Sequence, residues 1–172
     1  QKHSISANCI INTMGLSNRR RRCRHRVQST GIEQLFHFKL KLISKDQNQY
    51  GGIIVMGLDY SALVVKRVGE KFELQQITCH NADKGTAETV KTLATLNRTG
   101  QDENDYQFAI HQEIYMRMTV TAGKVRFAVS TDGKSFKPVG ESFSMREGKW
   151  IGAKIGLVAQ EPAGKTNRGW ID

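Results

Sequence analysis

The chain has 172 residues, 38% of them hydrophobic, and only two prolines, which suits one folded domain with a substantial core and argues against a disordered chain. No apolar run approaches the roughly 18 residues of a membrane-spanning helix, and Cys9, Cys23 and Cys79 show no CxxC spacing that would suggest zinc. The net charge of +10 is concentrated: Arg19, Arg20, Arg21, Arg22, Arg24 and Arg26 supply six charges, and without them +4 remains.

In chain order, the first thirty residues hold no sustained hydrophobic period and are expected to be loop, with a weak strand at Cys9-Ile10-Ile11. Residues 1–32 therefore read as a basic, solvated leader and residues 33–172 as the folded domain. The arginine run repels itself and has no aromatic residue within it, so the base-stacking partner of single-strand binders is missing. Two other readings of it stay open: an arm that binds phosphate without sequence preference, and a shifted reading frame in a fragment. The chain opens at Gln1 without a signal-peptide pattern, and Gly169-Trp170-Ile171-Asp172 stops where a strand begins. An excised or incomplete stretch of a longer chain is expected.

From residue 36 onward the pattern is that of strands. Phe36, Phe38, Leu40 and Leu42 alternate with His37, Lys39 and Lys41, which marks a strand with one buried face. Asp46 to Gln49 is a turn. Ile53-Ile54-Val55-Met56 and Leu63-Val64-Val65 are continuous apolar runs, as in strands covered on both faces, joined through Gly57-Leu58-Asp59-Tyr60. Phe72 to Thr78 is a further strand that ends in the loop His80 to Gly85, and Thr89 to Leu96 has the composition of a short edge strand. Asn97 to Asp105 is a polar surface loop.

The stretch from Tyr115 to Gln160 reads as four strands joined by tight turns. Ile114, Met116, Met118 and Val120 point one way and Tyr115, Arg117 and Thr119 the other; Val125, Phe127 and Val129 repeat the pattern. Ala122-Gly123 is one turn, and Asp132-Gly133 carries the pair that a type I′ hairpin prefers. Many strands at close spacing, with no helical period, predict an all-β, two-sheet antiparallel sandwich. Phe38, Leu40, Ile54, Leu63, Val65, Met118, Phe127, Val129 and Ile155 are expected in its shared core.

The residues offer little catalytic chemistry. Asp59, Asp83 and Asp132 all sit in turn settings, where Asp is common for its local backbone hydrogen bonds. The five histidines have no paired metal spacing, and Asp102, Glu103 and Asp105 lack the ligand spacing of a calcium loop. Ser130-Thr131-Asp132-Gly133 lacks the Asp-x-Gly spacing of a sialidase Asp-box and reads as a hairpin. Trp150 reads as a core or interdomain anchor; with Trp170 it gives thin support for a stacking platform of an independent carbohydrate-binding module.

Residues 127–143, FAVSTDGKSFKPVGESF, followed by 148–159, GKWIGAKIGLVA, resemble the C-terminal concanavalin-like β-sandwich of glycoside hydrolase family 43, the β-xylosidase and α-L-arabinofuranosidase type. Residues 51–65, GGIIVMGLDYSALVV, and 74–88, LQQITCHNADKGTAE, are similar to the family's earlier strands in the same order, and the likeness spans roughly residues 36–172. The resemblance implies a jelly roll attached to a catalytic five-bladed propeller, which holds the two carboxylates that glycoside hydrolysis needs. It implies an accessory domain of a hydrolase acting on xylo- or arabino-oligosaccharides, not a catalyst by itself, with a secreted or periplasmic setting. No cofactor is implied, and a structural calcium is left open. In related xylosidases a loop of the sandwich leans over the propeller's pocket. The loop most like it here is His80-Asn81-Ala82-Asp83-Lys84-Gly85, with Ala82 where some relatives carry an aromatic residue. His80, Asn81 and Asp83, together with Asp59 and Tyr60 of the neighbouring turn and Trp150, are the candidate pocket or interdomain contacts. The rival readings are a free-standing sugar-binding module and, more distantly, a basic nucleic-acid protein.

Overall fold

The computed structural model describes residues 25–26, 33–44, 47–96, 110–148, 152–160 and 170–171, with backbone alone at 25, 26, 110, 111, 170 and 171. The elements are β1 (His25–Arg26), β2 (Gln34–Ser44), β3 (Tyr50–Met56), β4 (Tyr60–Val68), β5 (Lys71–Cys79), a 3₁₀ turn (Ala82–Lys84), β6 (Thr89–Leu96), β7 (Ile110–Thr121), β8 (Lys124–Ser130), β9 (Lys137–Ser144), β10 (Lys154–Gln160) and β11 (Trp170–Ile171). They form a six-stranded sheet, β1-β10-β3-β4-β5-β6, and a five-stranded sheet, β11-β2-β7-β8-β9. Every pairing is antiparallel. The expected two-sheet sandwich is the observed architecture.

Alternation places the core between the sheets. Phe36, Phe38, Leu40 and Leu42 of β2 and Ile114, Met116, Met118 and Val120 of β7 face Ile53, Val55, Leu63, Val65, Phe72 and Leu74 of the other sheet. Phe38, Leu40, Leu63, Val65, Met118, Phe127 and Ile155 lie in this core as expected, and Val129 packs against it half-buried. Ile54 does not. It lies on the opposite face of the six-stranded sheet, beside Ala62, Val64 and Ile77. In a run of four apolar residues the sequence does not say which alternate pair faces inward, and a shift of one residue exchanges the faces. Thr89–Leu96 forms the edge strand expected of it. Gln76 closes one margin of the sandwich: its Nε2 donates to the Glu141 carbonyl at 3.0 Å, and its Oε1 accepts the Glu141 N–H at 2.8 Å.

Three turn expectations are corrected or refined. The pair of positive φ angles belongs to Ala122 (46°) and Gly123 (76°), between β7 and β8. At the Asp132-Gly133 hairpin only Gly133 has positive φ, at 71°. That connection runs from Ser130 to Lys137, too long for a two-residue turn, and is organised by Asp132, whose Oδ1 accepts the N–H groups of Lys134 and Ser135, each at 2.8 Å. The fourth strand of the 115–160 stretch is not tightly turned either, since β10 crosses to the other sheet and pairs with β3. The leader expected over 1–32 contributes β1, which pairs with Ile155 and Lys154 of β10. The strand expected at Cys9–Ile11 and the loop at Asn97–Asp105 lie outside the described residues.

Candidate functional site

The turn between β3 and β4 meets two other segments at one end of the six-stranded sheet. Tyr60 stands in register with Cys79, so the loop after β5 emerges directly beside Asp59. The segment that follows β9 passes the same turn: Leu58 N–H donates to the Arg146 carbonyl at 3.3 Å, and Ala82 N–H donates to the Leu58 carbonyl at 2.9 Å. Gly57 makes this approach sterically feasible, because a Cβ there would stand 1.9 Å from the Arg146 carbonyl oxygen.

Asp59 is the centre of the arrangement and is only 5% exposed. Its Oδ1 accepts the Asn81 N–H at 2.7 Å and a hydrogen bond from Arg146 Nη2. Its Oδ2 accepts Arg146 Nε at 2.8 Å and lies 3.1 Å from His80 Nδ1. Arg146 thus grips the carboxylate with both arms of its planar fork, and its Nη2 also donates to Asn81 Oδ1 at 2.7 Å. The backbone of the loop is shaped to allow this. Asn81 adopts φ 55° and ψ 47°, a left-handed conformation that Asn tolerates better than most residues. Gly85, at φ 71°, closes the 3₁₀ turn by donating its N–H to the Ala82 carbonyl at 3.1 Å.

The chemistry is that of a clamp. The Arg146 hydrogen bonds, opposed by burial and assisted by the Asn81 N–H and His80, hold the Asp59 carboxyl well below the usual carboxylate range. Asp59 therefore stays ionised and fully engaged, the opposite of a general acid that must keep its proton. Its ring above the clamp, His80 is mostly exposed and packs on Phe143 with centroids 5.9 Å apart. Asp83 belongs to the exposed 3₁₀ turn and helps stabilise the charged form of Arg146.

The structure brings Asp59, His80 and Asn81 together and adds Arg146, which the sequence reading did not single out. Asp59 corrects an expectation: it is a buried carboxylate with partners 22 and 87 residues away, not an exposed turn residue bonded locally. Tyr60 belongs elsewhere. It lies half-buried on the sheet against Ala62, Val64 and Ile77, and its hydroxyl donates to Glu88. Trp150 lies outside the described residues. No motif marks Arg146, since its role comes from the segment after β9 passing the Asp59 turn.

A pH prediction follows from the clamp. The folded-state pKa of Asp59 is depressed from 3.8, so its stabilisation is fully present above about pH 4 and is lost as pH falls through the folded value. Asp59→Asn is expected to melt below wild type at pH 7, with the gap narrowing steadily as pH falls from about 4 to about 2. Melting curves across that range check it. A constant gap would mean that shape, not charge, sets the contribution of Asp59.

The fold and the clamp define a concanavalin-like β-sandwich with a polar loop pinned by a buried carboxylate and a half-exposed arginine. The family model described as "Beta xylosidase C-terminal Concanavalin A-like domain", from glycoside hydrolase family 43, matches residues 25–172, and the chain belongs to that family. Among solved structures, an engineered family 43 hydrolase that displays endo-xylanase and exo-arabinofuranosidase activity aligns with a TM-score of 0.56 at 15% identity, over 80% of this chain and 29% of its own. The family 43 protein BlXynB from Bacillus licheniformis aligns at 0.47 and 13% identity, over 78% of this chain and 25% of its own. A functionally unknown protein from Saccharomyces cerevisiae aligns at 0.49 and 16%, over 82% and 66%. These likenesses concern the fold, and the chain spans between a quarter and two thirds of the structures' lengths. A search of curated protein sequences gave no match.

Proposed function

We propose that this domain is a noncatalytic accessory sandwich of a glycoside hydrolase of the β-xylosidase or arabinofuranosidase type. It packs on a catalytic propeller and presents the His80–Gly85 loop to the rim of that propeller's substrate pocket. The observation that carries this reading is the clamp behind the loop. A surface turn with polar side chains is held from beneath by a buried carboxylate, which removes the flexibility that would blur a positioning role. His80 and Asp83 then offer hydrogen-bonding groups to sugar hydroxyls or to a propeller loop. Hydrolysis is left to the propeller, because Asp59 is saturated with donors and stays ionised. A secreted or periplasmic setting goes with this reading.

Two measurements test it. The chain alone is expected to release no nitrophenol from nitrophenyl β-xyloside or α-arabinofuranoside; turnover that disappears in Asp59→Asn or Asp83→Asn would sink the proposal. Added to a family 43 propeller produced without its sandwich, the chain is expected to lower KM for a short xylo-oligosaccharide. His80→Ala with Asp83→Ala should lower it less. No effect on the propeller, together with oligosaccharide binding by the chain alone, would favour an independent sugar-binding module.

A further inference from the structure

The outer face of the five-stranded sheet has a charge pattern that the clamp does not use. With the apolar residues of β2, β7 and β8 turned inward, Lys39 and Lys41 of β2, Arg117 of β7, and Lys124 and Arg126 of β8 are left on the outside. Glu113 is the only carboxylate in those three strands, and it pairs with Lys39 at 3.4 Å. Glu33 stands just before β2, and Asp132, in the hairpin beyond β8, is committed to Ser130, Lys134 and Ser135.

Arg117 is held in place within this face. Its Nε donates to His37 Nε2 at 2.9 Å, directly across the β2–β7 pair, and its guanidinium carbon lies 3.7 Å from the centroid of the Phe136 ring. The His37 ring itself stands 5.1 Å from Phe136. Burial, and then Arg117, lowers the pKa of His37, which keeps the imidazole neutral and able to accept. Ring and histidine fix the plane of the guanidinium. Its two terminal nitrogens have no partner among the described residues, so the fork is oriented for a planar anion.

The neighbouring cations extend the site. Lys39 lies across from Tyr115, with its ammonium 5.8 Å from that ring, and Arg126 lies across from Thr119. Cations therefore recur on both sides of Arg117, each one strand over and two residues along, about 7–8 Å away on the diagonal. A compact anion would use one of them. An extended polymer with repeated negative groups would use several.

We propose that this face docks a carboxylate-bearing polysaccharide, a chain of sugars substituted with uronic acid. The choice of a polysaccharide over a nucleic acid rests on the glycoside-hydrolase reading above; the cationic face does not. The test uses the full chain and three probes in affinity electrophoresis at moderate salt: a glucuronic-acid-substituted xylan, the same xylan with its carboxyls reduced, and a single-stranded DNA oligonucleotide. Reducing the carboxyls, or making Arg117→Gln, is expected to weaken binding about tenfold each. Arg117→Lys should not restore it, since an ammonium lacks the fork. A variant with Arg19, Arg20, Arg21, Arg22 and Arg24 changed to Gln is expected to keep the preference for the acidic xylan. Lys124→Gln with Arg126→Gln supplies the same readout should Arg117→Gln lower the melting temperature. Equal binding of the reduced xylan, loss of all binding in the leader variant alone, or DNA binding as tight as the acidic xylan would each overturn the proposal. Failure of the glycoside-hydrolase reading would show separately, as no effect on the propeller, because carboxyl dependence is read without one.

Discussion

Phe72→Ala is expected to destabilise the domain by about 3–5 kcal/mol, the range for deleting a fully enclosed aromatic ring. Phe72 is 0% exposed and lies in the cluster between the two sheets, on the inward face of β5. The ring contributes through transfer from water and through the close packing that a cavity would forfeit. In a domain of this length that loss corresponds to roughly 10 °C in Tm. Ile54→Ala is the informative comparison. Ile54 is only half-buried on the outer face of the same sheet, and its truncation should cost about 1 kcal/mol. Denaturant unfolding of the two variants checks both values. Equal losses would mean that the outer face is as closed as the inner one.

The second large effect is expected at Gly57. An added Cβ would meet the Arg146 carbonyl oxygen at 1.9 Å, a backbone atom that cannot rotate away as a side-chain tip can. The segment carrying Arg146 would have to move, stretching the Leu58 N–H bond to the Arg146 carbonyl and drawing the guanidinium off Asp59. Gly57→Ala should therefore cost about 1–3 kcal/mol, as overpacking does. It should also reduce the effect of a second change, Asp59→Asn. A double-mutant cycle measures this, with an expected coupling of more than about 0.5 kcal/mol for groups in one network. Additive effects would mean that the Gly57 contact and the Asp59 clamp are independent.

The clamp also ties stability to the proposed function. The same bonds that stabilise the turn hold Asn81 in its left-handed conformation and set the position of His80. Loosening them is therefore expected to weaken the effect on a propeller before the domain unfolds.

Much of the fold is legible in the residues because local physics writes it there. The alternation in β2, β7 and β8 reports one buried face, and the unbroken runs in β3 and β4 report cover on both. Cys79, at the end of β5, is buried as a small apolar residue should be. The 3.8 Å steps of the backbone carry such information only over a few neighbours. Ile53 and Ile54 are chemically the same, and only the opposing sheet puts the first in the shared core and leaves the second half-buried on the outer face. Asp132-Gly133 is a strong local turn signal, yet the separation of β8 from β9 decided which turn it makes. Asp59 looked like an ordinary turn aspartate, because the residue that defines it, Arg146, is 87 positions away. The sequence by itself determined the strands from β2 onward, the sandwich class and the loop at His80–Gly85. The tertiary structure alone decided which apolar residues face inward, which carboxylate is buried and which arginine neutralises it. Burial and ion pairing depend on groups brought together in space, and their separation along the chain leaves no periodic trace.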